Sequence, residues 1–258
     1  MSQSTLHCRR IGSGPDLVLL HGWGLHAGLW APLIEPLSAQ FRLHLYDLPG
    51  HGRSAPSDEF TFESVCAQLA QAVPPQASWL GWSLGGLLAT EFAARYPQRV
   101  DKLMLVACNP RFVATDNAYP GMEPEVLEKF ATDLLMDHAA TLKRFLSLVA
   151  RGSADGSVLR ELRQAMSGAP APTEIALCGG LVMLRDADLR CRLAQLGIPI
   201  INLAGARDTL VPIAALRQLT GQYPSMQLVE FEQAGHAPFI SNPQAFAAAV
   251  LEFLHERP

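Results

Sequence analysis

Short apolar runs, each closed by turn residues, organise this chain. Asp16-Leu17-Val18-Leu19-Leu20, Arg42-Leu43-His44-Leu45-Tyr46-Asp47, Ser78-Trp79-Leu80 and Lys102-Leu103-Met104-Leu105-Val106 read as strands. Segments of helical composition lie between them, and strand–helix alternation predicts a parallel sheet covered by helices on both faces. After Asn109-Pro110 the pattern changes. From Arg111 to Ala187 the β-branched runs vanish, and Leu142, Phe145, Leu146 and Val149 form an i, i+3, i+4, i+7 stripe on one helix. Breaks at Pro120-Gly121, Gly152, Gly168-Ala169-Pro170-Ala171-Pro172 and Gly179-Gly180 cut this stretch into several short helices. Strand character resumes at Ile198-Pro199-Ile200-Ile201-Asn202-Leu203-Ala204 and again at Gln227-Leu228-Val229-Glu230-Phe231. The expected organisation is a core over residues 1–110 and 188–258, with residues 111–187 inserted over the strands' C-terminal ends as a helical lid.

Candidate chemistry sits where those strands end. Gly81-Trp82-Ser83-Leu84-Gly85 follows an apolar strand and precedes Gly86-Leu87-Leu88-Ala89-Thr90-Glu91-Phe92-Ala93-Ala94, a helical run. A Gly-x-Ser-x-Gly on a strand-to-helix turn is a nucleophile elbow, which holds the serine Oγ out of the sheet at a helix N-terminus. The remaining members should follow in the order acid, then histidine. Asp208 lies on the loop after the Ile198 run, and His236 follows the Gln227 run within Gly235-His236-Ala237-Pro238-Phe239. In that order His236 takes the proton from Ser83, and Asp208 fixes the imidazole tautomer. The loop His21-Gly22-Trp23-Gly24 follows the first of these strands, so the N–H groups of Trp23 and Leu84 are the expected oxyanion donors. His21 is expected to stabilise that turn, because His236 already fills the base position. The Gly/Pro cluster from Asp47 to Ser54 is expected to be a structural loop.

Composition narrows the partners. A 258-residue chain, 49% hydrophobic and 17% charged, can bury a large core, and a net charge of −4 argues against a general nucleic-acid binder. Met1 to Arg10 contain no apolar segment of signal-peptide type, and the apolar stretch from Ala245 to Leu254 is too short to span a membrane. Five scattered cysteines without a C-x-x-C pair read as reduced thiols of a cytoplasmic protein. Neither a metal nor a cofactor is expected, since the eight histidines lack metal-ligand spacing. A monomer is the expected state.

Four segments carry a resemblance: Leu19 to Leu25, Leu45 to Ser54, Trp79 to Leu87 and Ala234 to Ser241. With the overall spacing, they resemble the α/β-hydrolase superfamily across essentially the whole chain. Within it they resemble the bacterial pimeloyl-acyl-carrier-protein methyl ester esterases of biotin synthesis. That likeness implies an α/β-hydrolase fold and hydrolysis of a methyl ester carried on acyl carrier protein. Ser83, Asp208 and His236 match the triad, and Trp23 and Leu84 match the oxyanion pair. Phe145, Leu146, Ser147, Leu148 and Val149 match a substrate-contacting helix, joining Trp23, Ser83, Leu84 and His236 in the implied substrate site. A carrier protein is acidic, and the stretch 143–163 is basic. Lys143, Arg144, Arg151, Arg160 and Arg163 face only Asp155 and Glu161 in sequence, a local charge of +3. Such a rim would steer an acidic carrier, although charge clusters are most often solvated helix faces. Two alternatives stay open: a small-molecule carboxylesterase or C–C bond hydrolase of the same fold, and a non-catalytic binding protein on that scaffold. A broken triad would mark the last, and every member is present.

Overall fold

The computed structural model describes residues 6–115, 119–154 and 156–256. Asp155, counted above among the acids of the basic stretch, lies outside them. Seven strands form one sheet: β1 (Cys8–Ile11), β2 (Asp16–Leu20), β3 (Arg42–Tyr46), β4 (Ala77–Trp82), β5 (Val100–Val106), β6 (Ile200–Gly205) and β7 (Met226–Phe231). Their order is β1-β3-β2-β4-β5-β6-β7, and every neighbour pair is parallel except β1 with β3. The central strands read as unbroken apolar runs because both faces are covered; Leu17 to Leu20 have no exposed surface.

β1 is the strand that the sequence pattern does not reveal. At the sheet edge its two end residues, Cys8 and Ile11, are half-buried, and Arg9 and Arg10 between them are exposed. Charge at an edge discourages pairing with another chain, and it also erases the apolar run that would mark a strand.

Helices α1 (Ala31–Ser38), α2 (Phe62–Ala72) and α3 (Leu84–Arg95) follow β2, β3 and β4. Between β5 and β6 come α4 (Pro124–Met136), α5 (His138–Val149), α6 (Ser157–Ser167), α7 (Glu174–Asp186) and α8 (Arg190–Ala194). The chain ends with α9 (Ile213–Gln222), α10 (Pro238–Ser241) and α11 (Pro243–His255). One group packs α1 with α10 and α11; another packs α2 and α8 on α3. A buried lysine and a half-buried arginine anchor helix ends to the core. Lys102 Nζ donates to the carbonyls of Phe253, Leu254 and Glu256, and Arg99 donates to those of Ala70, Val73 and Pro74, so each faces the negative end of a helix.

In the intervening block α4 packs on α5 and α7, and α5 packs on α6. The four stripe residues of α5 are buried, as are Leu127, Phe130 and Leu134 of α4. Asp137 and Thr173 cap α5 and α7, accepting from Ala140 N and Ala176 N. Core side chains fasten the block from below: Trp23 Nε1 donates to Leu177 O, His26 Nε2 to Ala165 O, and Arg53 to Gly168 O. Among the described residues no helix is long and apolar enough to cross a membrane.

Candidate active site

β2 and β4 are neighbours, with Leu20 opposite Gly81, although the chain visits β3 between them. Connections leave in opposite directions at that point, which opens a crevice beyond the strands' C-terminal ends. The loop carrying Trp23 leaves β2 there, and the turn carrying Ser83 leaves β4 beside it.

The turn at Ser83 is strained. Its φ is 54° and ψ −119°, a conformation that L residues avoid and that turns the side chain out of the strand. The flanking glycines are sterically required: a Cβ on Gly81 would lie 2.4 Å from Gly85 O, and one on Gly85 would lie 2.5 Å from Leu20 O. α3 starts at the next residue, so the Leu84 N–H is among the unpaired donors of its first turn.

The structure brings the three candidates from separate strand ends into one relay. His236 Nε2 is 3.0 Å from Ser83 Oγ, and His236 Nδ1 is 2.7 Å from Asp208 Oδ2. The other carboxylate oxygen of Asp208 accepts from Leu210 N and Val211 N, at 2.8 and 3.0 Å. With both oxygens held, Asp208 takes the proton on Nδ1 as a hydrogen-bond partner and leaves Nε2 as an acceptor facing the serine. Ser83 is 2% exposed and His236 1%, so the relay is shielded from bulk water.

His21 lies at the base of the Trp23 loop. Its Nε2 accepts from Leu48 N at 2.9 Å, so its Nδ1 carries the proton and donates to Gly22 O at 2.8 Å. Burial lowers its pKa to about 3, and His51, whose ring centroid is 5.2 Å away, is lowered to about 3 by burial and by His21. Both are fixed, neutral struts. The Asp47–Ser54 segment is likewise structural: Asp47 accepts from Ala27 N and Arg53 N, and Ser54 Oγ donates back to Asp47 O.

Above Ser83 is a small cavity of about 20 Å³. Trp23, Ser83 and Leu210 line it from the core, and Phe112, Met122, Leu127, Phe130, Phe145, Leu181 and Leu184 from the residues between β5 and β6. Among the described residues no charged side chain lines it. It has room for little more than one water. Of the expected substrate helix, Phe145 lines the cavity; Leu146 and Val149 are buried on its stripe, Leu148 is half-buried and Ser147 is exposed. Phe145 also meets the Trp23 indole edge-on at 5.0 Å. Sequence reasoning passed over Leu127, Phe130, Leu181 and Leu184, because a cavity wall and a core stripe share one apolar helical spacing, and Phe112, Met122 and Leu210, because they lie on loops where no period marks a buried side.

The five basic residues stay at the surface. Lys143, Arg144, Arg151, Arg160 and Arg163 are all exposed, and Arg144 is ion-paired with Asp133 of α4. Among the described residues no ion pair involves Arg160 or Arg163 of α6.

A family model described as alpha/beta hydrolase fold matches residues 15–243. The pimeloyl-acyl-carrier-protein methyl ester esterase of Vibrio campbellii is 43% identical over 251 residues, covering 97% of this chain and 98% of its own. The protein of that name from Klebsiella pneumoniae is 44% identical over 243 residues, covering 93% and 94%. Among solved structures, an esterase from Exiguobacterium antarcticum superposes with a TM-score of 0.85 at 21% identity, covering 97% of this chain and 96% of its own. At that identity the superposition speaks for the fold alone.

Proposed function

The chain belongs to the α/β-hydrolase family and, within it, to the pimeloyl-acyl-carrier-protein methyl ester esterases, and from that premise we propose its reaction and the residues that perform it. It is a serine esterase that hydrolyses the methyl ester of a pimeloyl chain carried on acyl carrier protein, giving the free carboxylate and methanol. The observation that carries this reading is the near-complete coverage of relatives with this name at more than 40% identity. The Ser83–His236–Asp208 relay supports it by supplying the chemistry.

Ser83 Oγ attacks the ester carbonyl as its proton passes to His236 Nε2, and Asp208 stabilises the imidazolium. The N–H groups of Trp23 and Leu84 receive the oxyanion, with the first turn of α3 directed at the same charge. The C–O bond to the methoxy group breaks, and methanol leaves with the proton from His236. Water, deprotonated by the same imidazole, then releases the carboxylate and restores Ser83. The apolar wall suits the neutral ester and its methylene chain. It offers no cation to the product carboxylate, which favours release. Arg151, Arg160 and Arg163, with Lys143 and Arg144, form the carrier-facing rim, and the site of action is the cytoplasm.

The test is incubation of the purified protein with carrier-bound pimeloyl methyl ester, followed by mass measurement of the intact carrier. Loss of one CH₂ from the carrier is expected, with the thioester retained. A carrier of unchanged mass, beside rapid hydrolysis of small free esters, would make this a general carboxylesterase.

A further inference from the structure

We infer that Trp82, the residue between Gly81 and Ser83, is a positioning residue that joins the nucleophile, the histidine loop and the oxyanion loop into one body. The inference rests on the triad assigned above and adds a member that does not touch the reacting atoms. Trp82 has no exposed surface, and its indole Nε1–H donates to the backbone carbonyl of His236 at 2.7 Å. Its ring centroid is 5.5 Å from the His236 imidazole, tilted by 50°. On another side it meets the oxyanion loop: a Cβ on Gly22 would lie 2.8 Å from the indole Cε3, so the Gly22 backbone rests directly on the ring. Its own backbone is bonded to Ser83. One residue therefore joins the three segments whose spacing sets the reaction geometry, two through its side chain and one through its backbone.

His236 needs such a tie because it sits on the loop between β7 and α10. The bonds to Asp208 and Ser83 orient its ring; the Trp82 bond holds its backbone. Trp79, three residues earlier on β4, provides the contrast. It too has no exposed surface, but its indole nitrogen has no hydrogen-bond partner among the described residues, and it stacks on Phe92 of α3 at 4.3 Å. Two buried tryptophans on one strand thus differ in one respect that matters for catalysis.

The experiment compares Trp82→Phe with Trp79→Phe in the full chain, on a methyl ester substrate. Both lose an indole from the core, so both should lower the melting temperature. Only Trp82→Phe should lower kcat, by roughly tenfold to a hundredfold, since small misplacements of a catalytic group cost rates of that order. KM should hold, and labelling of Ser83 by a phosphonate should slow in proportion to kcat. Wild-type kcat in Trp82→Phe, or an equal loss in Trp79→Phe, would make Trp82 an ordinary core residue. Should Trp82→Phe fail to fold, benzothienylalanine at position 82 keeps the shape and replaces the N–H with sulfur. A folded isostere with reduced kcat supports the tie, and one with wild-type kcat overturns it. Ser83→Ala separates the two levels: if it is inactive while Trp82→Phe is unimpaired, only this inference fails, whereas an active Ser83→Ala removes the triad itself.

Discussion

Ser83, Asp208 and His236 stand on loops that leave β4, β6 and β7, whereas most of the wall around them comes from the residues between β5 and β6. The first region is polar at a few exact points and held by strain, sterically required glycines and short hydrogen bonds. The second is apolar throughout its cavity face and held by side-chain packing. Among the described residues, the large hydrophobic ones that stay exposed, Val126, Leu135, Met136, Ile175 and Val182, lie on α4 and α7 of this second region. Chemistry that tolerates little displacement is thus built on the sheet. The apolar surface facing the cavity is built from helices held by packing and by hydrogen bonds from Trp23, His26 and Arg53. Changes in the first region should strike kcat for every ester, and changes in the second should strike the choice among esters.

Ser83→Ala should separate the regions most sharply. It is expected to lower kcat by about 10⁵–10⁶ on carrier-bound and free esters alike, with little change in melting temperature. Retention of more than a few per cent of activity on either ester would remove Ser83 as the nucleophile. Asp208→Asn should cost about 10⁴ in kcat on both substrates, because an amide favours the wrong imidazole tautomer. Near-normal rates would point to another acid.

Phe145→Ala tests the other region. The side chain lines the cavity and abuts Trp23, so its loss should lower kcat/KM for a pimeloyl methyl ester by about tenfold to a hundredfold. A methyl acetate substrate, too short to reach it, should be affected much less. Equal losses on both would mean that Phe145 supports the relay and not the acyl chain.

The smallest expected effect concerns stability and leaves activity untouched near neutral pH. His21 and His51 stay neutral in the folded protein down to about pH 3, chiefly through burial, but titrate near 6.5 when unfolded. Between those values the unfolded chain binds more protons, so stability falls as pH drops from about 6.5 towards 3. Each histidine contributes a slope of up to about 1.4 kcal/mol per pH unit. Denaturation midpoints between pH 7 and 4 should show this decline, and His51→Gln should reduce proton uptake on unfolding by about one. Unchanged uptake in His51→Gln would place the acid sensitivity elsewhere.

These two regions were also unequally legible in the sequence. The central strands announce themselves because burial on both faces demands continuous apolar runs. The elbow does so because its turn admits only glycine at two positions. The order of Ser83, Asp208 and His236 then follows from the strand ends. β1 was hidden because it is a short edge strand whose two central, exposed positions carry arginine. The role of Trp82 was invisible because an indole N–H reaching a carbonyl 154 residues away leaves no local pattern. Among the helices, Phe145 and Val149 share one stripe, yet only Phe145 faces the cavity; spacing gives the buried side without saying what lies across from it.

The division of labour is tested most directly by one ratio: kcat/KM on carrier-bound pimeloyl methyl ester over kcat/KM on the free methyl ester, at fixed ionic strength. It should be measured in the wild type and in Arg160→Glu/Arg163→Glu. Both arginines are exposed on α6 and take no part in the relay's hydrogen bonds. Their reversal should cut the carrier-bound value by about tenfold and leave the free-ester value unchanged, so the ratio falls by about tenfold. An unchanged ratio would contradict the account: the basic stretch would be a solvated surface, and the inserted helices would not select the carrier.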